Sequence, residues 1–207
     1  MKRISVLIAL LAFTACQKQT EKVTAIEDYN IYLDTNPRKT TSKYFELWNG
    51  KIKPDSIQVL SFGHVASEYN RYFKETGNIN FLKKAERALT KAVAIAQMNK
   101  EAYHRALARN FISQHRFKEA LFLAEKAEQL GGGLKDTQSL LFDVHMELGN
   151  YEKAKSYLDS ITDLSAFGYL IRVAKWNDYK GDLGTTINFM EKAMAKAEAT
   201  KNINLLL

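Results

Sequence analysis

Residues 107–127 read LARNFISQHRFKEALFLAEKA, and residues 141–161 read LFDVHMELGNYEKAKSYLDSI. Laid over one another without a gap, Leu107 meets Leu141, Ala108 meets Phe142, and Phe111 meets His145. Further along, Phe117 meets Tyr151, Ala120 meets Ala154, Ala124 meets Leu158, and Ala127 meets Ile161. Every pair lies 34 residues apart. A fixed period of this size marks an array of supersecondary units, each burying its apolar face against the next. Positions 107, 108 and 111 share one face of a helix, and positions 117, 120, 124 and 127 do the same for the helix after it. A short turn near residue 115 then folds the two into an antiparallel hairpin. Small residues at 108, 120 and 154 let helix backbones approach closely. The pattern predicts burial of Leu107, Ala108, Phe111, Phe117, Ala120, Leu121, Leu141, Tyr151, Ala154 and Leu158.

Two weaker copies flank this pair. Downstream, Gly181-Asp182-Leu183 matches Gly149-Asn150-Tyr151 at a period of 32, and Val173, Ala174, Thr186, Met190 and Ala193 fill the remaining positions. Upstream, Gly77-Asn78 opens a helix with Leu82, Ala85, Leu89 and Ala92 in register. Its preceding helix is expected over about Asp55 to Lys74, with Ala66, Tyr69, Tyr72 and Phe73 toward the core. No proline follows Pro54, so nothing of that kind breaks these helices.

Over roughly residues 55–198 the pattern resembles tetratricopeptide (TPR) repeats. The resemblance implies an all-α superhelical solenoid of antiparallel helix pairs, about four hairpins, with no sheet. Three features depart from the family. Phe142 stands where a small residue is usual, Thr186 stands where Ala is usual, and the closing Pro is replaced by Gly131-Gly132-Gly133. Glycine can end a helix as well, because it accepts the left-handed conformation. Solenoids bind along the concave surface lined by the first helix of each hairpin. Carried over from the family, the groove positions are Arg105, Ser139 and Ile171, then Arg109, Asp143 and Lys175, then Ser113, Glu147 and Tyr179. This mixed set does not match the Lys/Asn/Arg clamp that grips a terminal carboxylate in some members. Arg109, Asp143 and Lys175 are expected to form a charge ladder on one surface. The ladder either meets a partner or bridges itself across neighbouring helices.

The chain opens with Met-Lys-Arg, an apolar run from Ile4 to Phe13, and Thr14-Ala15-Cys16. A charged start, a short apolar stretch and small residues before a cut describe a signal peptide. These ten residues, apolar except for Ser5, reach roughly 15 Å as a helix, about half of a bilayer core, so the stretch is too short to span one. The thiol directly after the small residues resembles the lipobox of bacterial lipoproteins, with Phe13 where Leu is commoner. That resemblance implies lipidation at Cys16, and two or more acyl chains anchor a protein stably. The expected organisation is a lipoprotein signal peptide over 1–15 and a lipid-attached tether with an N-terminal helical segment over 16–54. TPR-like repeats follow over 55–199, and a C-terminal tail over 200–207. Short helices are expected over Ala25–Leu33 and Lys43–Trp48. Lipobox and repeats together resemble TPR lipoproteins of Gram-negative envelopes, which implies a cell-envelope location at the outer membrane.

The net charge of +7 invites a nucleic-acid reading. Removing Lys2 and Arg3 with the leader lowers it to +5, and the remaining basic residues interleave with acids, as in Glu125-Lys126 and Glu152-Lys153. Such mixed runs are solvated helix faces, so no nucleic-acid partner is expected. Cys16 is the single cysteine, which excludes an internal disulfide. The four histidines form no His-x-x-x-His pair, and His145 falls at a core position, pointing away from Asp143 and Glu147. Neither a metal nor a cofactor is expected. No nucleophile elbow, phosphate loop or dinucleotide fingerprint occurs, and the chain does not read as an enzyme. The first reading is a non-catalytic scaffold that presents a TPR groove to another protein or peptide. The alternative is a carbohydrate- or nutrient-binding outer-membrane lipoprotein, in which Trp176 and Tyr179, one helical turn apart, offer a stacking platform. The last hairpin leaves Met190, Ala193, Met194 and Ala197 along its second helix. An apolar edge there is expected to pair with a second copy as a homodimer or to continue into further repeats, in preference to a third outcome in which the tail ending in Leu205 to Leu207 folds back as a cap.

Overall fold

The computed structural model describes residues 43–52, 55 and 57–199. Among them every regular element is a helix. A short helix α1 (Lys43–Asn49) precedes four antiparallel hairpins: α2 (Val59–Thr76) with α3 (Ile79–Ile95), α4 (Lys100–Ser113) with α5 (Phe117–Leu130), α6 (Leu134–Glu147) with α7 (Tyr151–Ser160), and α8 (Phe167–Tyr179) with α9 (Leu183–Ala199). Each hairpin packs on the next in chain order, giving an all-α, TPR-like solenoid. Cys16, the leader over 4–13, the helix expected over Ala25–Leu33 and the tail over 200–207 lie outside the described residues.

The 34-residue register places the small residues where backbones meet. Ala108, Ala120 and Ala154 are all 0% exposed. Leu107, Phe111, Leu141 and Leu158 are buried with them. Phe117, Leu121 and Tyr151, expected in the core, are half-buried. The two aromatics open the second helix of their hairpins, so each ring covers the end of the core rather than filling it. Leu123, absent from the expected core, is buried beside Ala120 and Ala124. The first hairpin starts at Val59 rather than Asp55. Within it Ala66 and Tyr72 are buried, while Tyr69 and Phe73 are half-buried.

Both atypical core residues have a place. Phe142 is fully buried and joins Met146, Leu158, Ile161 and Val173 in a cluster between the third and fourth hairpins. Thr186 donates its hydroxyl to the Asp182 carbonyl at 2.9 Å, so its polar atom is satisfied in a half-buried position. At the N-terminal end, α1 sets Phe45 edge-on against Tyr69 (5.1 Å) and Tyr72 (5.6 Å). Trp48 stacks on His64 at 4.3 Å. These contacts cover the outward side of α2.

A buried polar network joins the first two hairpins. Asn110, 1% exposed, donates to Asn70 Oδ1 and to the Leu82 carbonyl. Gln114 donates to Asn110 and Glu86, and Arg116 donates to Glu86 at 2.9 Å. Burial raises the Glu86 carboxyl, but hydrogen bonds from Gln114, Arg116 and Lys83 outweigh it and hold the group below its ordinary value.

Candidate functional site

The first helices α2, α4, α6 and α8 lie side by side along the solenoid, with α4 and α6 in direct contact. The groove residues expected from the sequence fall on α4, α6 and α8. The structure sorts them into three different situations.

Between the third hairpin and α8 the surface is zipped by two ionic rungs from α6 and one aromatic contact from the start of α7. Arg172 donates to Asp143 at 2.5 Å, and also to the carbonyls of Ser139 (3.1 Å) and Gly168 (2.9 Å). Lys175 donates to Glu147 at 2.6 Å. Tyr179 stacks on Tyr151 with ring centroids 3.8 Å apart, and Trp176 leans on Tyr179 at 5.4 Å. The expected ladder of Arg109, Asp143 and Lys175 is therefore corrected. Asp143 takes Arg172, one turn before Lys175, and Lys175 takes Glu147. Each ionic rung joins a residue of the third hairpin to the α8 residue one turn ahead of its repeat equivalent, a span that the long arginine and lysine side chains cover. Arg172 was missed because it occupies no groove position in the family. The signal for it was its length and charge one turn from Lys175.

Between α4 and α6 the picture differs. Arg105, expected in the groove, is 8% exposed and faces the inter-repeat turn. Its guanidinium donates to the Gly132 carbonyl at 2.6 Å and to Thr137 Oγ1 at 3.1 Å. The backbone explains two of the three glycines: Gly131 and Gly133 have φ of 82° and 61°, the left-handed region that favours glycine. A Cβ on Gly133 would sit 2.7 Å from Arg105 Nη2 and one on Gly132 would meet the Glu101 carboxylate, both flexible side-chain ends that can shift. Ser113 is exposed and bonds only the Arg109 carbonyl. Ile171 is half-buried.

Arg109 is in the third situation. Its side chain is exposed and makes no hydrogen bond or ion pair among the described residues. Its surroundings still hold its pKa below the ordinary arginine value. Desolvation by the adjoining helices is the main cause, and Arg105 and Arg172 add to it against Asp136 and Asp143. Asp143 shows the same environment from the other sign. Desolvation raises its carboxyl, opposed by Arg172, Lys175 and Arg109. The inner face thus holds a poorly solvated, unpaired cation beside rungs that are already neutralised.

His145 is 2% exposed, 3.3 Å from Asn150 Nδ2 and stacked parallel on Tyr157 at 5.6 Å. Among the described residues no three His, Cys, Asp or Glu side chains gather as metal ligands. No helix among them is long and apolar enough to cross a membrane.

Comparison with solved structures supports the architecture. The crystal structure of MamA is similar at 17% identity and a TM-score of 0.55, over 76% of this chain and 88% of that one. A second MamA crystal form aligns at 14% identity and a TM-score of 0.51, over 74% and 81%. TPR-like repeats from a Podosopora anserina protein assigned as a kinesin light chain align at 16% identity and a TM-score of 0.52, over 76% and 83%. At these identities the likeness shows a TPR-like fold. No family model matches the chain, and no curated protein matches it.

Proposed function

We propose that this chain is a non-catalytic, lipid-anchored envelope scaffold that holds another protein along the inner face of its repeats, with Arg109 meeting an acidic group of that partner. The observation that carries the reading is the state of Arg109. Its neighbours Arg172 and Lys175 are paired within the fold, whereas Arg109 is unpaired and partly desolvated. A cation in such a place gains most from an incoming carboxylate, because charge-assisted hydrogen bonds strengthen as water is excluded. The anchoring part of the proposal rests on Thr14-Ala15-Cys16 after a short apolar run. Acylation at Cys16 would place the repeats on an outer-membrane surface.

The test uses the full chain in its native envelope, with a photo-crosslinking residue at Ser113, one turn from Arg109. A specific adduct is expected there. It should disappear with Arg109→Glu and be absent when the crosslinker stands at Lys126 on α5. Equal capture at both positions, or an adduct indifferent to Arg109→Glu, refutes the groove. Mass spectrometry of the same material should show a mature chain beginning at acylated Cys16, and a cut elsewhere refutes the anchor. The sugar-binding alternative needs an aromatic face open to ligand. Trp176, Tyr179 and Tyr151 pack on one another while Tyr179 stays 47% exposed; a glycan screen read by tryptophan fluorescence should stay flat, and a saturable signal would favour the alternative.

A further inference from the structure

The outer surface of α9 carries Leu183, Ile187, Met190 and Met194, exposed by 62%, 57%, 46% and 55%. Their spacing of four, three and four places them on one stripe of the helix. The inner surface of α9 is occupied, since Ala193 and Ala197 are buried against the fold. The repeat alignment shows what this stripe is. Met190 is level with Leu158 of α7, 32 residues earlier, and with Ala124 of α5, 34 before that. Those two are 4% and 0% exposed, because the following hairpin covers them. At Met190 the stripe continues a surface that the next hairpin covers elsewhere, while Leu183, Ile187 and Met194 are level with positions that are half-buried or exposed in the earlier hairpins; among the described residues nothing buries the four.

The charges beside the stripe select the cover. Glu191 lies one turn past Ile187 and Glu198 one turn past Met194. Both therefore stand on the same edge, roughly 60° round the helix from the stripe. Neither forms an ion pair among the described residues, and both are exposed. In a symmetric pair with antiparallel helices an edge faces its own copy. A second α9 laid on the first would bring Glu191 and Glu198 against Glu198 and Glu191, and like charges so placed repel. Elsewhere in the fold an acid on a second helix does meet a donor from the next hairpin, since Glu128 of α5 accepts the Tyr157 hydroxyl of α7 at 3.1 Å, although Glu128 is level with Met194 rather than with the glutamate edge.

We infer that α9 is a docking face for an amphipathic helix of another polypeptide, one whose apolar stripe is bordered by lysine or arginine. Such a helix would lie on α9 as α6 lies on α5. Its basic border would pair with Glu191 and Glu198. The surface is separate from the inner face and does not depend on Arg109.

The probe is a synthetic 18-residue helical peptide with leucines at the same four-three-four spacing and lysines along one border. A control carries glutamates in their place. Binding to the full detergent-solubilised chain is measured by fluorescence anisotropy. The lysine peptide should bind roughly fivefold or more tightly than the glutamate peptide at low salt. Ile187→Glu should weaken it about tenfold or more, with the helical content of the protein unchanged. The double variant Glu191→Lys, Glu198→Lys should reverse the preference between the peptides. Equal binding of both peptides, no binding, or an unreversed preference overturns the inference. So does a self-association in sedimentation that Met190→Glu abolishes, because the face would then belong to a second copy. Arg109→Glu should leave peptide binding intact, which separates failure here from failure at the inner face.

Discussion

Arg172 of α8 reaches across to Asp143 of α6 and, with the same guanidinium, to two backbone carbonyls. Lys175 meets Glu147 one turn further on with a single contact. The two rungs look alike but differ in solvation. The Arg172 pair is 22% and 30% exposed, the Lys175 pair 41% and 38%. Exposed ion pairs contribute under about 1 kcal/mol. A charged group with several bonds in a partly dry place contributes about 1–3 kcal/mol. Arg172→Ala should therefore lower stability by about 1–3 kcal/mol and Lys175→Ala by less than about 1 kcal/mol, measured by urea unfolding. Equal losses would show that the two extra carbonyl contacts of Arg172 add nothing to the packing of the fourth hairpin on the third.

His145 gives a pH dependence with a definite sign. Burial holds its imidazole below the ordinary value, assisted by Lys153 and opposed by Glu125. The unfolded chain then takes up the proton first, near pH 6.5. The contribution of His145 is complete above that pH and is lost as pH falls through it toward the folded value. The thermal midpoint should change little between pH 8 and 7 and drop between pH 6.5 and 5. In His145→Gln that drop should shrink. An unchanged acid slope in the variant would assign it to other groups, Glu86 among them.

The helical pairs were legible because their cause is local: apolar spacing within a helix and small residues repeated every 34 positions. Ala120 and Ala154 follow from that directly. The inner face was legible only as a set of positions. Pairing across it depends on which long side chains reach which carboxylates in the packed array. Lys175 reaches Glu147 rather than Asp143, and Arg172 takes Asp143 instead. The burial of Arg105 was hidden for a related reason. Its partners, Gly132 and Thr137, lie 27 and 32 residues away in a turn whose path no periodicity describes.

The hairpin turns offer a test of backbone conformation without packing. His115, Gly149 and Gly181 occupy the same repeat position, with φ of 56°, 73° and 78°. Gly77, two residues before the second helix of the first hairpin, has φ of 67°, so three hairpins use glycine there, and the second uses a histidine whose ring meets Phe117 edge-on at 5.5 Å. A Cβ at Gly149 would meet nothing within 4 Å. Gly149→Ala should thus cost about 1 kcal/mol from the left-handed conformation alone. A calorimetric loss well above that would mean the turn also makes contacts beyond its backbone.

The strongest test of the register is a substitution at the points of closest approach. Ala120 and Ala154 each stand near the start of the second helix of a hairpin, level with one another in the repeat, and each is 0% exposed. Ala120 lies in the cluster that includes Ala66, Ala85, Leu107 and Ala108, so the helices there are spaced for a methyl group. A leucine adds three carbons that have no void to enter. The helices must move apart or the side chain must leave its preferred rotamer, at about 1–3 kcal/mol per site. Ala154 packs in the other cluster, beside Phe142, whose bulk already fills the space of the usual small residue. Ala154→Leu should therefore be the costlier of the two, and Phe142→Ala should recover part of the loss in the double variant. Thermal and urea unfolding of Ala120→Leu, Ala154→Leu and Ala154→Leu with Phe142→Ala would measure all three. An unchanged midpoint at either alanine would mean that the hairpins do not close on these positions. A double variant no better than Ala154→Leu alone would place the added side-chain volume somewhere other than against Phe142.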